Sequence, residues 1–272
     1  MVLSNGTLLT GEMLDWLRGA DVRLMLSLDG VGAAHDAQRH FADGRGSFAL
    51  VARAIDRATE RGLRPYISVT VTPASADGLA ETVAFVLARD LPFNLNFVRT
   101  GDGALDVTES ARLIAGVEAA FAVIEERLPR RRLVDALLDR SLFGAAHEYP
   151  CGVGRNYLVV DPHGQIARCQ MEMEQPVTDV WTPDPLRAVR EQRAGFQNVS
   201  VEEKEECRAC PWRYWCAGGC PLLAHRAAGR SDTASPYCPV YRALYPALLR
   251  LEGLRLLKWQ SPPDPARLPL SA

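Results

Sequence analysis

Seven cysteines stand in this chain, and four of them fall within the fourteen residues from Cys207 to Cys220. The stretch reads Cys207-Arg-Ala-Cys210-Pro-Trp-Arg-Tyr-Trp-Cys216-Ala-Gly-Gly-Cys220-Pro. A Cys-x2-Cys pair is the shortest reach by which two thiolates turn onto one metal centre, and such pairs recur in zinc and iron–sulfur sites. Gly218 and Gly219 supply positive φ where a bulky ligand leaves no room for side chains, and Pro211 and Pro221 stop a helix from running through the loop. Disulfides are disfavoured: seven is an odd number, and no secretory segment opens the chain, so a reducing cytosol is the expected compartment. On this local spacing alone, structural zinc and an iron–sulfur centre stay equally open.

The other three cysteines extend the pattern. Cys151 is followed by twelve residues, Gly164, four more residues and Cys169, and Cys238 lies eighteen residues after Cys220. This series of seven resembles the SPASM domain of radical S-adenosylmethionine (radical SAM) enzymes that modify peptides and proteins. The resemblance implies two auxiliary [4Fe-4S] clusters, an outer one on Cys207, Cys210, Cys216 and Cys238 and an inner one on Cys151, Cys169 and Cys220. Some members add a fourth inner cysteine just upstream of the first. Here residues 143–150 hold none, which leaves an open iron site or a ligand such as His147. Sulfatase maturases of the family carry aspartate directly after the second inner cysteine. Gln170 stands there instead, which favours a peptide maturase.

Composition sets the outer limits. The 272 residues are 47% apolar and 24% charged, with a net charge of −2, enough for a proper core and no electrostatic argument for nucleic acid or an anionic membrane. No apolar run approaches the roughly 20 residues that cross a bilayer.

The elements that must position these residues begin with alternating strand and helix. Apolar or β-branched runs at 22–28, 66–72 and 93–98 read as strands, and helical spacing marks a helix from Ser47 and another over 79–89. That alternation means βαβ units on a parallel sheet, with ligands at the carboxyl ends of the strands. Those ends carry Ser4-Asn5-Gly6-Thr7, Ser27-Leu28-Asp29-Gly30, Thr70-Val-Thr72 and Asn96-Phe-Val-Arg99. With Arg39 and the segment Gly44-Arg-Gly46-Ser47-Phe48, they again resemble the radical SAM barrel. By that resemblance Asn5, Ser27 and Arg39 lie near the methionine and ribose parts of S-adenosylmethionine, with Asp29 on the same rim. The plainer reading makes Asn5-Gly6 and Asp29-Gly30 turn residues and Arg39 a surface ion pair.

Further along, a helix begins near Thr108 and a second is expected over 131–142, burying Leu133, Leu137 and Leu138. A hairpin, 157–160 with 165–169, turns at Asp161-Pro-His163-Gly164 and is expected to hold Cys151 and Cys169 on neighbouring strands, His163 being exposed at its tip. Trp212, Tyr214 and Trp215 are expected to shield a metal centre. A helix over 240–259 and a loose proline-rich tail close the chain.

The whole reads as an α/β chain: the C-terminal strands of a partial (β/α) radical SAM barrel over 1–104, a helical connection over 105–146, a small α+β SPASM domain over 147–260 and a tail over 261–272. The Cys-x3-Cys-x2-Cys motif that holds the family's catalytic cluster is absent, since no cysteine precedes Cys151. The chain is therefore expected to be truncated, or else to pair its raw strand edge with a partner chain. The complete enzyme implied by the resemblance uses S-adenosylmethionine to modify a ribosomally made peptide or protein side chain, and this chain alone is expected to be inactive. Two other functions stay open: an iron–sulfur electron-transfer or peptide-docking subunit without catalysis, and a zinc-stabilised binding module.

Overall fold

Four short parallel strands, β1 (Val2–Ser4), β2 (Leu24–Ser27), β3 (Tyr66–Val71) and β4 (Phe93–Phe97), pair in sequence order. They belong to a computed structural model that describes residues 1–99, 101, 104–139 and 141–259. The helices between the strands are α1 (Gly11–Gly19), α2 (Ala33–Gln38), α3 (Phe48–Glu60) and α4 (Leu79–Ala88), and α5 (Val107–Glu126) follows β4. The expected strands and the two helices after β2 and β3 form within about two residues of their expected ends. The proline-rich tail lies outside the described residues.

The strand period of two divides the sheet into unlike faces. Leu24, Leu26, Ile67, Val69, Val71, Phe93, Leu95 and Phe97 are buried on one side, together with the apolar stripes of α1, α3, α4 and α5. The other face carries Ser27, Ser68 and Asn94 in register, then Thr70 opposite Asn96. Asn94 Nδ2 donates to Asn96 Oδ1 at 2.9 Å, and Asn96 Nδ2 donates to Ser68 Oγ at 3.1 Å. Parallel sheets usually bury apolar residues on both faces. A polar ladder here marks a face suited to a polar occupant, and the buried Asn94 Oδ1 has no partner among the described residues.

The helix expected over 131–142 does not form. Leu133, Val134, Leu137 and Leu138 are buried as the spacing requires, but residues 134–136 and 139 are turns. The Leu133 N–H donates to Glu252 Oε2 at 2.9 Å, and the Ala136 carbonyl accepts from Leu95 N–H at 2.8 Å. The Ala136 carbonyl is one that the expected helix would have paired internally, and its bond to Leu95 caps the free edge of β4. The Leu133 N–H, by contrast, belongs to the first turn, where a helix offers no internal partner. α5 comes close to the segment after β3 because Gly116 has no side chain, since a Cβ there would lie 2.4 Å from the Ala76 carbonyl oxygen.

The loop after β2 is pinned by His35, which is fully buried. Ser47 Oγ donates to the Arg39 carbonyl at 2.7 Å and lies 3.0 Å from His35 Nε2, and the Asp29 N–H points at Nδ1 at 3.2 Å. With the hydroxyl proton committed, Nε2 donates and Nδ1 accepts, so the ring is neutral. Burial, opposed mainly by Asp29, pulls its pKa below 6.5. A depressed folded-state pKa gives stability that is full above pH 6.5 and lost as pH falls through the folded value. The urea midpoint is therefore expected to drop between pH 7 and pH 5, and His35→Gln, less stable at neutral pH, loses that part of the slope.

The chain divides into two compact units. Met1–Val98, Thr108–Asp139 and the chain from Ala243 onward form the first, and Arg99–Val107 with Arg140–Arg242 forms the second. The second contains a three-stranded antiparallel sheet, β5 (Val159–Val160), β6 (Gln165–Ala167) and β7 (Thr178–Asp179), then helix α6 (Pro185–Glu191). Single helical turns α7 (Glu205–Arg208) and α8 (Arg213–Cys216) lead to α9 (Pro221–Ala228). α10 (Cys238–Trp259) starts in the second unit. Among the described residues no helix is long and apolar enough to cross a membrane.

Candidate metal centre

The cysteines of the second unit sit at the ends of short elements, where the chain changes direction. Cys207 lies in α7 and Cys216 closes α8, after which Ala217, Gly218 and Gly219 all take positive φ (47°, 77° and 74°). Cys220 precedes α9, whose first residue is Pro221, and Cys238 begins α10. Cys169 follows β6, where its Sγ accepts from the Met171 N–H at 3.5 Å. Cys151 stands in a bend before the hairpin. The hairpin forms with Val159 opposite Ala167 and Val160 opposite Ile166, but Cys151 is on no strand, contrary to expectation. It is held by Asn198, whose Nδ2 donates to the Cys151 carbonyl at 2.9 Å. His163 is exposed at the tip. None of the seven cysteines is in a disulfide.

Electrostatics sorts the thiols into two sets. Cys207 feels Cys216, Cys238 and Cys210, and Cys238 feels Cys216 and Cys210. Cys169 feels Cys220 and Cys151. Burial pushes the Cys207 and Cys238 thiols up to about 11, and burial likewise raises Cys169. These are not activated nucleophiles, which need a depressed pKa. Soft donors of this kind give up their protons more readily to a metal than to water. No three His, Cys, Asp or Glu side chains among the described residues converge tightly enough to hold a single metal ion.

Cys151, Cys169 and Cys220 border one cavity of about 300 Å³. Arg99, Tyr157 and Gln170 also line it, and His147 does not. The His147 ring lies against the Ala145 carbonyl, 3.3 Å from Nδ1. Of the aromatic side chains expected as a shield, Tyr214 packs against the buried cluster of Val201, Cys207 and Ala217. Trp215 stacks on Phe143 with centroids 5.5 Å apart, and the Tyr214 hydroxyl donates to Glu202 at 2.5 Å. None of Trp212, Tyr214 and Trp215 lines this cavity. Three thiols around a space larger than an ion, with an arginine on its wall, fit an anionic metal–sulfur group.

Gly218 and Gly219 answer to protein neighbours. A Cβ on Gly219 would lie 2.5 Å from Ser235 Cβ, and one on Gly218 would lie 2.6 Å from Lys204 Cδ. Ser235 N–H donates to the Gly218 carbonyl at 2.8 Å, and its own carbonyl accepts from Cys238 N–H at 2.8 Å. The loop of Cys216 and the start of α10 are thereby locked together. Gly219→Ala, which combines positive φ with overpacking, is expected to cost about 2 kcal/mol or more, visible as a lower urea midpoint.

In the first unit, Ser27 and Asn5 end neighbouring strands: the last paired residues are Ser4 and Leu26, so Asn5 and Ser27 come next. Ser27 is buried. Asn5 is exposed and its Oδ1 accepts from the Thr7 N–H and hydroxyl at 3.1 and 2.9 Å, an Asx turn. Arg39 is paired through Nε with Asp29 Oδ2. Asp29 is nearly buried and its Oδ1 accepts from the Thr70 N–H at 2.7 Å, so the pair bridges two strand ends rather than lying free on the surface. The sequence placed Arg99 at a strand end but not on this cavity's wall, and it gave no signal for Lys204 beside Gly218. Both depend on contacts between segments far apart in sequence.

No family model matches the chain. It is 26% identical over 254 residues to the mycofactocin maturase MftC of Mycolicibacterium smegmatis, covering 86% of this chain and 62% of that protein. It is also 26% identical over 274 residues to the AdoMet-dependent heme synthase of Methanosarcina barkeri, covering 89% and 74%. The chain thus spans about three fifths of the maturase's length. In three dimensions it resembles native anSMEcpe with bound AdoMet and the Cp18Cys peptide: TM-score 0.65 at 16% identity, over 92% of this chain and 75% of that one.

Proposed function

We propose that this chain, akin in sequence to radical SAM maturases and in fold to anSMEcpe, is the cluster-bearing part of a radical SAM enzyme that modifies a ribosomally made peptide or protein. In this reading the first unit is the C-terminal part of a (β/α) barrel and the second is a SPASM-type domain. The observation that carries it is the sorting of seven thiols into a set of four and a set of three, the latter around a cavity. When bound, S-adenosylmethionine would supply the radical and the iron–sulfur groups an electron path.

The chain's own residues prepare the site. Cys207, Cys210, Cys216 and Cys238 would hold one [4Fe-4S] cluster, and Cys151, Cys169 and Cys220 the other, with Arg99 and Gln170 beside the second. Ser27 and Asn5 present hydroxyl and amide groups at neighbouring strand ends, where a polar cofactor is held. The Asp29–Arg39 pair keeps the Arg39 side chain at that rim. The Ser68–Asn96–Asn94 ladder offers hydrogen-bonding groups along the same face of the sheet as Ser27, suited to a peptide backbone.

Zinc is the competing occupant. A tetrahedral zinc site with Zn–S bonds near 2.3 Å needs sulfurs about 3.8 Å apart. The thiols here affect one another without closing onto a point, which favours the larger iron–sulfur body. With no cysteine before Cys151, the chain is expected to need a catalytic cluster from elsewhere, whether from a preceding segment or a partner chain. Anaerobic preparation should yield a brown protein with iron and sulfide in equal amounts and no cleavage of S-adenosylmethionine under strong reductant. Zinc without visible absorbance would end the cluster reading. Cleavage by this chain alone would end the claim that it lacks the catalytic centre.

A further inference from the structure

Lys204 is 0% exposed, a rare state for lysine. Its backbone is fixed from both sides. Its N–H donates to the Val201 carbonyl at 3.2 Å, and its carbonyl accepts from Cys207 and Arg208 at 2.9 and 3.2 Å. The side chain runs along the Cys216–Cys220 loop. A Cβ added to Gly218 would lie 2.7 Å from Nζ, and Nζ donates to the Ala217 carbonyl at 3.4 Å. That long bond is its one acceptor among the described residues. Asp232 feels its charge but is half-exposed, and it is already paired with Arg230 through two bonds of 2.6 and 2.7 Å. The thiols within its electrostatic reach are Cys207 and Cys216 from the set of four and Cys220 and Cys151 from the set of three.

A buried ammonium without a counter-charge is costly, and proteins retain one where an anion offsets it. Metal–thiolate groups are such anions. The loop beside Nζ is where the chain passes from one set to the other, at Cys216 and Cys220. We propose that Lys204 is a positioning residue shared by both sets: its ammonium balances the negative charge of the metal–sulfur group in each and raises both reduction potentials. This rests on the cluster reading above. A positive charge favours the reduced, more negative state of a nearby centre, and hydrogen bonds to sulfur act in the same direction.

The test uses the full chain, loaded anaerobically, as wild type, Lys204→Met and Lys204→Gln. Iron and sulfide are counted, midpoint potentials are read by EPR-monitored redox titration, and melting temperatures are taken with and without metal. At wild-type iron content, Lys204→Met is expected to lower the one-electron reduction equilibrium constant of both centres at least tenfold, 59 mV each. It is also expected to raise the melting temperature of the metal-free chain and lower that of the loaded chain. A lysine that only fills space would move both melting temperatures the same way. Unchanged potentials at full iron content, or a shift at one centre alone, overturn the proposal. If neither variant takes up iron, the metal-free comparison decides, and a melting temperature below wild type overturns it. A wild-type chain without iron and sulfide ends the cluster reading and this proposal together, and the metal count alone reveals that case.

Discussion

Cys220→Ser halves the iron of the anaerobically loaded chain, Cys238→Ser does the same, and the double variant holds almost none. The expectation follows from the two sets. Cys220 acts electrostatically with Cys169, and Cys238 with Cys216 and Cys210. Each cluster needs its thiolates, and serine is a poor replacement for a soft donor. A four-thiolate set that loses one ligand becomes equal in number to the other set, yet it lacks the cavity shaped around Cys151, Cys169 and Cys220. Iron and sulfide per chain should fall to about half in each single variant, with one EPR signal lost each time. Circular dichroism should show the sheet of the first unit intact. If either single variant removed all the iron, the two sets would not be independent centres. Because the Cys238 thiol stands near 11, loading should also release protons at neutral pH.

Asp29→Ala carries the second large effect. The carboxylate is 4% exposed and holds Arg39 on one oxygen and the Thr70 N–H on the other. Its own N–H points at His35 and its carbonyl accepts from Gln38 Nε2 at 2.9 Å. Removing it leaves a partly exposed guanidinium and a part-buried amide without their acceptor, a loss of about 2–3 kcal/mol in unfolding free energy. Arg39→Ala should cost less, because the arginine side chain is 34% exposed and Asp29 keeps the Thr70 bond. Urea denaturation of the two variants checks the order. A loss below about 1 kcal/mol for Asp29→Ala would mean that the pair behaves as an exposed one. The same variant should loosen the rim beside Ser27, which faster amide exchange at Thr70 would detect.

Short-range rules made much of the fold legible. β-branched and apolar runs placed β2, β3 and β4, and the helical spacing of Phe48, Val51, Ile55 and Ala58 placed α3. The segment over 131–142 shows the limit. Its apolar spacing identified Leu133, Leu137 and Leu138 as core, but Leu95, distant in sequence, took the Ala136 carbonyl that a helix would have paired internally. Asn5 illustrates the same limit at the site. Its place at a strand end was legible, whereas its engagement with Thr7 depends on the turn actually adopted.

The sequence by itself determined the inventory: seven soft donors at fixed spacing, turn residues between them, and strands whose side chains alternate. These follow from covalent order and the local periods of helix and strand. Tertiary structure alone decided that one face of the sheet is polar, that Arg39 is committed to Asp29, and that Lys204 is buried within electrostatic reach of thiols as distant in sequence as Cys151 and Cys220. Burial and charge arise from segments far apart along the chain, so their energies are set only when those segments meet.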